Sequence, residues 1–260
     1  MIRARMWAAC FLASLAAAVL AGCNGAEQAQ GEQAGGQQGT VAAAPKRANG
    51  TCARPYTDSS PWNTPIGPDP DYHSDSDVYI ADLEGELTSD PTQYTTPVYE
   101  VTARTPRQTV ELTGLYSYVS ADNTMLNRLE PGAIDLPIPA GTEPGEGNDA
   151  EVILYDPATG DEWGLWQLRR TDDGRWTAVN GYHYNTNWSG VPPTEEGGRP
   201  FGSRGAGVPH LVGLVRPCEI ARGRIEHALG FGYDQPSGEH VYPASKSDGT
   251  GDDADLPEGS

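Results

Sequence analysis

The apolar residues of this chain come in short runs that Gly, Pro, Asn and Asp cut off before a helical period can establish itself. Between residues 51 and 260 the runs are PVYEVTAR (97–104), QTVELT (108–113), AEVILY (150–155), EWGLWQLR (162–169), RWTAVNGYHY (175–184) and IEHALGFGY (225–233). Short runs of β-branched and aromatic residues bounded by turn formers predict strands. The clearest pair is 150–155 with 162–169, because Asp156-Pro157-Ala158-Thr159-Gly160 between them is a turn sequence that predicts a hairpin. Asp172-Asp173-Gly174 turns the chain again into 175–184, which makes a three-stranded meander. Only 72–87 and 208–221 leave room for helices. The expected fold is all-β, a sandwich or jelly roll with one or two short helices. No period of 20–50 residues repeats, which argues against a propeller or solenoid.

The N-terminus carries a different signal. Arg3 and Arg5 precede an apolar run from Met6 to Leu20, followed by Ala21-Gly22-Cys23. Charged, apolar and small-residue regions in that order predict a secretory signal over 1–22. The run is about 15 residues, short of the roughly 20 that span a bilayer as a helix. Leu20-Ala21-Gly22-Cys23 also resembles the lipoprotein box of bacterial exported proteins, and the resemblance implies lipidation of Cys23 and a membrane partner through that anchor. The expected location is the cell envelope, facing outside the cytoplasm. Residues 23–50 are Gln, Gly, Ala and Glu with few large apolar side chains, a composition that suits a flexible tether. The folded domain is expected over 51–260.

With Cys10 inside the signal and Cys23 carrying lipid, Cys52 and Cys218 remain. In an exported protein an even pair predicts a disulfide, with two free thiols or a metal pair as the alternative. A bridge closing so long a loop contributes about 4–5 kcal/mol on the chain-entropy model.

Charge excludes one class of partner. Asp and Glu number 36 against 17 Lys and Arg, a net charge of −19. Nucleic-acid affinity comes mainly from cations that neutralise phosphates, so no nucleic acid is expected as a partner. There is no phosphate loop, dinucleotide fingerprint, HExxH motif or G-x-S-x-G elbow.

Three sets of side chains are candidates for chemistry. Asp69, Asp71, Asp75 and Asp77 alternate, with His73 between them, and alternation along an extended chain would aim carboxylates at a hard cation such as Ca²⁺. The competing reading is a solvated acidic turn ahead of a helix. Trp166, Trp176, Tyr184 and Trp188 have flat apolar faces with a polar edge, suited to stacking sugar rings. Core packing is the competing use, and Trp163 and Trp166, three apart, should face opposite sides of a strand. Arg169 and His183 are ionisable groups near those aromatics, and His227 lies on the expected late strand. A lyase needs a cation and a base such as His or Tyr, whereas a hydrolase needs two carboxylates about 5–10 Å apart. His227, among Ile225, Ala228 and Leu229, equally suits a structural role.

Ser60-Pro61-Trp62-Asn63, Gly205-Ala-Gly-Val-Pro209, Gly213-Leu-Val-Arg216, Gly223-Arg-Ile-Glu-His-Ala-Leu229 and Val241-Tyr-Pro-Ala244 resemble a group of secreted bacterial proteins with a WN start and a G-x-I-x-HAL element. The group has no established activity. The resemblance implies a shared extracellular β-rich domain and nominates Arg216, His227 and Tyr242 as one catalytic set. Two functions follow from these features: a surface-anchored carbohydrate-active protein, polysaccharide lyase or hydrolase, or a non-catalytic glycan- or cell-wall-binding lipoprotein. Polysaccharide is the expected partner in both.

Overall fold

A computed structural model describes residues 52–83, 95–194, 201 and 203–260. The expected signal, Cys23 and the tether lie outside the described residues. Ten strands occur among the described residues: β1 (Val98–Glu100), β2 (Arg107–Leu112), β3 (Ser117–Ser120), β4 (Leu126–Leu129), β5 (Gly132–Pro137), β6 (Val152–Tyr155), β7 (Asp161–Trp166), β8 (Arg169–Arg170), β9 (Trp176–Ala178) and β10 (Asn180–Asn185). They form a six-stranded sheet in the order β1-β6-β7-β10-β3-β4 and a four-stranded sheet in the order β5-β2-β9-β8. Both sheets are mixed, with β1–β6, β10–β3 and β2–β9 parallel. The two short helices are α1 (Ser76–Asp82) and α2 (Pro217–Arg222). The fold is an all-β sandwich.

The expected hairpin is β6 with β7, antiparallel with Tyr155 opposite Glu162. Asp156 closes the turn by accepting from Gly160 N–H at 2.8 Å and donating to Asp161 C=O at 2.9 Å. Val152, Ile153 and Leu154 run apolar without alternation because this sheet is covered on both faces. On one face Val152, Leu154 and Leu165 meet Val110, Leu112, Leu136, Trp176 and Ala178 of the other sheet. On the opposite face Ile153, Tyr118, Tyr182 and Tyr184 pack under Tyr56, Phe201, Val208, Leu211 and Val212 from loops. Each such aliphatic side chain contributes about 1.5–3 kcal/mol when fully buried.

The third strand of the meander differs from expectation. The run 175–184 breaks at Val179, with β9 in the four-stranded sheet and β10 in the six-stranded one. Val179 N–H bonds Trp166 C=O at 3.0 Å, and Gly114 N–H bonds Val179 C=O at 2.7 Å, so the chain turns a corner between sheets at that residue. The late run 225–233 is not a strand. Its backbone finds single loop partners, Ala228 N–H to Trp62 C=O and Gly230 N–H to Gly213 C=O, and Ile225, Leu229 and Phe231 stay exposed. Apolar residues that pack against no sheet do not specify a ladder. Of 208–221 only its end is helical, because Val208, Leu211 and Val212 are spent covering the sheet as a loop.

Cys52 and Cys218 form a disulfide with a Cα–Cα distance of 5.7 Å. Arg216 Nη1 donates to Ala53 C=O at 2.5 Å, Arg222 Nη1 to Cys52 C=O at 3.1 Å and Arg54 Nη1 to Glu226 C=O at 3.2 Å. The start of the domain is thus stitched to the region around α2.

Candidate functional site

The residues nominated for catalysis fall in four separate places. Arg169 is exposed on β8 at the edge of the four-stranded sheet. His183 sits on β10, stacked on Trp163 at 5.2 Å, with Nε2 2.9 Å from Asp161 Oδ1. Burial alone would raise the Asp161 carboxyl, but bonds from Thr159, His183 and Asn185 outweigh it and hold it low.

Arg216 and His227 do come together, through a residue that was not nominated. Glu219 Oε1 accepts from Arg216 Nη2 at 2.6 Å and contacts His227 Nε2 at 2.9 Å, while Glu219 Oε2 accepts from Arg216 N–H at 2.9 Å. Burial pushes the Glu219 carboxyl up, the bonds and charge of Arg216 push it down, and the net shift is downward. His227 and Glu219 side chains are each 5% exposed; Glu219 bonds the start of α2, and the other ring nitrogen of His227, Nδ1, lies 2.7 Å from Ala228 C=O. Tyr242 is 73% exposed and outside this group. Of the nominated set, Arg216 and His227 are joined through Glu219, and Tyr242 stands apart from them.

The four nominated aromatics do not share one surface. Trp176 is buried between the sheets, with Nε1 donating to Gln108 at 3.0 Å, and Tyr184 is fully buried on the opposite side. Trp188 is half-buried and packs edge-on to Tyr184 at 5.1 Å. Trp166 alone of the four lines an open space, and Trp163 packs toward the other sheet, as their spacing predicts. Asp69, Asp71, Asp75 and Asp77 are all exposed. They do not converge because the segment is a loop running into α1 rather than a strand, and among the described residues no three acidic, His or Cys side chains form a metal-binding group.

What the structure builds instead is a cleft of about 1110 Å³ on the covered face of the six-stranded sheet. Its floor is β7 and β10, where Gly164 leaves the space that the Tyr182 ring occupies across the strand. On the same face of β7, two residues before Gly164, lies Glu162, fully buried. Tyr56 OH donates to Glu162 Oε2 at 2.8 Å, Tyr182 OH donates to Oε1, and Leu211 N–H donates to Oε1 at 3.1 Å. Burial raises the Glu162 carboxyl further than these donors lower it. Burial and then Glu162 push both tyrosine hydroxyls well up.

One wall is 203–210 and the other is 246–258. Arg204 holds a left-handed backbone, φ 46°, a conformation that costs a non-glycine residue of order 1 kcal/mol or more and clusters at functional sites. Its Nη2 donates to His210 C=O at 2.6 Å. Next to it, Gly205 has no room for a side chain: Asp248 Oδ1 lies 2.5 Å from where a Cβ would sit, and Glu258 Oε1 is closer still. The two carboxylate oxygens therefore lie no more than about 5 Å apart. Burial and the Asp248 charge raise the Glu258 carboxyl, and burial lowers the Lys246 ammonium beside them.

Compared with known proteins, the chain matches no family model, no curated protein and no solved structure.

Proposed function

We propose that this chain is an envelope-anchored, glycan-directed protein that hydrolyses polysaccharide in the cleft between 203–210 and 246–258. The observation that carries this reading is the convergence of Asp248 and Glu258 on Gly205. A hydrolase needs one protonated and one ionised carboxyl flanking the scissile bond. Glu258, raised by burial and by its neighbour's charge, suits the acid. Asp248, more exposed, suits the nucleophile.

In the first step Glu258 gives its proton to the glycosidic oxygen as that C–O bond breaks, and Asp248 bonds the anomeric carbon. In the second, Glu258 takes a proton from water, whose oxygen displaces Asp248 and frees the sugar. Trp166, on the cleft floor with Nε1 bonded to Asp149 at 3.0 Å, gives a ring face against which a sugar can lie. A uronate lyase is disfavoured, since Asp149, Glu151, Asp234, Asp248 and Glu258 line the cleft against Arg204 and Lys246.

Export and anchoring rest on residues 1–22 and the Leu20–Cys23 box, and the Cys52–Cys218 disulfide is in keeping with an oxidising compartment. Reducing-end release from a panel of neutral and amino-sugar glycans tests the function. Glu258→Gln should lower release by about 100-fold or more, in line with loss of a general acid. Release that is absent from every glycan, while oligomers still bind the cleft, replaces hydrolysis with the non-catalytic binding role.

A further inference from the structure

We propose that the row Trp166, Asn180 and Tyr116 across the cleft floor binds rings of an extended, β-linked, uncharged sugar chain; this rests on the glycan reading above, in its hydrolytic or its binding form. Asn180 opens β10 directly opposite Trp166 of β7. On its other side β10 runs parallel to β3, with Tyr182 level with Tyr118. Two residues back along each chain, Asn180 is level with Tyr116, and Tyr116 N–H donates to Asn180 Oδ1 at 3.3 Å. Side chains level with each other across a sheet share a face, and all three residues line the cleft. Two strand spacings separate the aromatic residues, about 10 Å.

The row combines two kinds of contact. Trp166 spends its polar edge on Asp149, Nε1 to Oδ1 at 3.0 Å, which leaves its ring faces for apolar contact. Tyr116, at 64% exposure, is open to a ligand. Asn180 between them is fixed: its Oδ1 takes the Tyr116 N–H and stands where a Cβ on Gly114 would sit. Its Nδ2 has no partner among the described residues, so two N–H donors stand free between two aromatic side chains. A pyranose ring has C–H groups on its faces, which suit the aromatics, and oxygens at its edge, which suit the amide. The amide is neutral and the cleft around it is acidic, which turns away an anionic sugar. Two aromatic contacts in line favour a chain that runs straight, because a coiled α-linked chain turns its rings away from a common line.

The test is calorimetric titration of the full chain, disulfide intact, carrying Glu258→Gln so that a bound sugar chain stays uncut. The titrants are six-sugar chains of β-1,4-linked glucose, β-1,4-linked N-acetylglucosamine and α-1,4-linked glucose. A β-linked chain should bind at least about tenfold tighter than the α-linked one. Tyr116→Ala should weaken that binding by about tenfold, and Tyr116→Phe, which keeps the ring, by no more than about twofold. Asn180→Asp keeps the oxygen that accepts from Tyr116 N–H but loses both donors, and should weaken binding by about fivefold or more. Tyr116 is exposed and Asn180→Asp is isosteric, so neither substitution removes a buried contact. A β-linked chain that binds within about twofold of its original affinity in either Tyr116→Ala or Asn180→Asp overturns the inference and leaves the glycan reading standing. Equal binding of the α-linked chain does the same, as does a loss in Tyr116→Phe as large as in Tyr116→Ala. If none of the three chains binds, the glycan reading falls with it.

Discussion

Removing the buried carboxylate of Glu162 is the most direct perturbation of the covered face. Glu162→Ala leaves three donors without their acceptor: Tyr56 OH, Tyr182 OH and Leu211 N–H. They come from the N-terminal segment, β10 and the loop that covers the sheet, so one residue holds three parts of the chain together. Orphaned buried donors cost about 1–3 kcal/mol each, part of which is recovered because a charge no longer has to be buried. The net loss should be about 3–5 kcal/mol. For a domain of this size that lowers Tm by roughly 6–20 °C, at 2–4 °C per kcal/mol.

Glu162→Gln keeps the shape and one acceptor, and Tyr56 OH can turn to accept from the amide, so its loss near pH 4 should be only about 1 kcal/mol. The pH dependence has a definite sign. Burial raises the folded-state carboxyl above its ordinary value of 4.5, so the folded state holds the proton more tightly than the unfolded chain. The associated stability is complete below the unfolded value and is lost as pH rises through the folded one. Glutamine has no such loss, so Glu162→Gln should gain on the wild type between about pH 4 and pH 7. Thermal denaturation of the three proteins across that range is the assay. A wild-type advantage that grows with pH, or a Glu162→Ala that melts within about 2 °C of wild type, would refute the argument.

Further expectations concern other parts of the molecule. Reducing the disulfide, or making Cys52→Ala with Cys218→Ala, should cost about 2–5 kcal/mol, read as the Tm difference with and without reductant. Glu219→Ala should destabilise by about 2–4 kcal/mol because it leaves Arg216 and His227 facing no anion. Since the Glu219 carboxyl is held low in the fold, that contribution is present above the unfolded carboxyl range and disappears as pH falls through the folded value. Gly205→Ala should displace Asp248 or Glu258 and abolish reducing-end release, with glycan binding measured alongside. In the active protein, the decline of release with rising pH should begin above the ordinary carboxylate range, because Glu258 keeps its proton longer than a free glutamic acid.

The β6–β7 hairpin was legible because its turn chemistry and its apolar run agree. The corner at Val179 was not, since alternation records which side chains are inward but carries no mark of which sheet a residue joins. The run 225–233 carries strand-forming residues, yet what makes a strand is a partner backbone, and this segment has only isolated ones. At the site, Trp166 was nominated and does line the cleft. Trp176 and Tyr184 have the same surface chemistry in isolation and were drawn into cores by neighbours far along the chain. Asp149, Glu151, His210, Asp248 and Glu258 carry no common motif. The close approach of Asp248 and Glu258 to Gly205 is a tertiary event, hinted at only by the glycines at 205 and 207.

The bridge from Cys52 to Cys218 also decides how the domain bears a mechanical load. Every strand of both sheets, from Val98 to Asn185, lies inside the loop that the bridge closes. The 246–258 wall of the cleft lies outside it. Tension entering at Cys52 and leaving through a ligand held by that wall crosses the sulfur–sulfur bond into α2 and continues along 219–258, bypassing the β-sandwich. The sheets are then out of the line of pull, and the first parts to yield are the single hydrogen bonds that hold 225–233 in place.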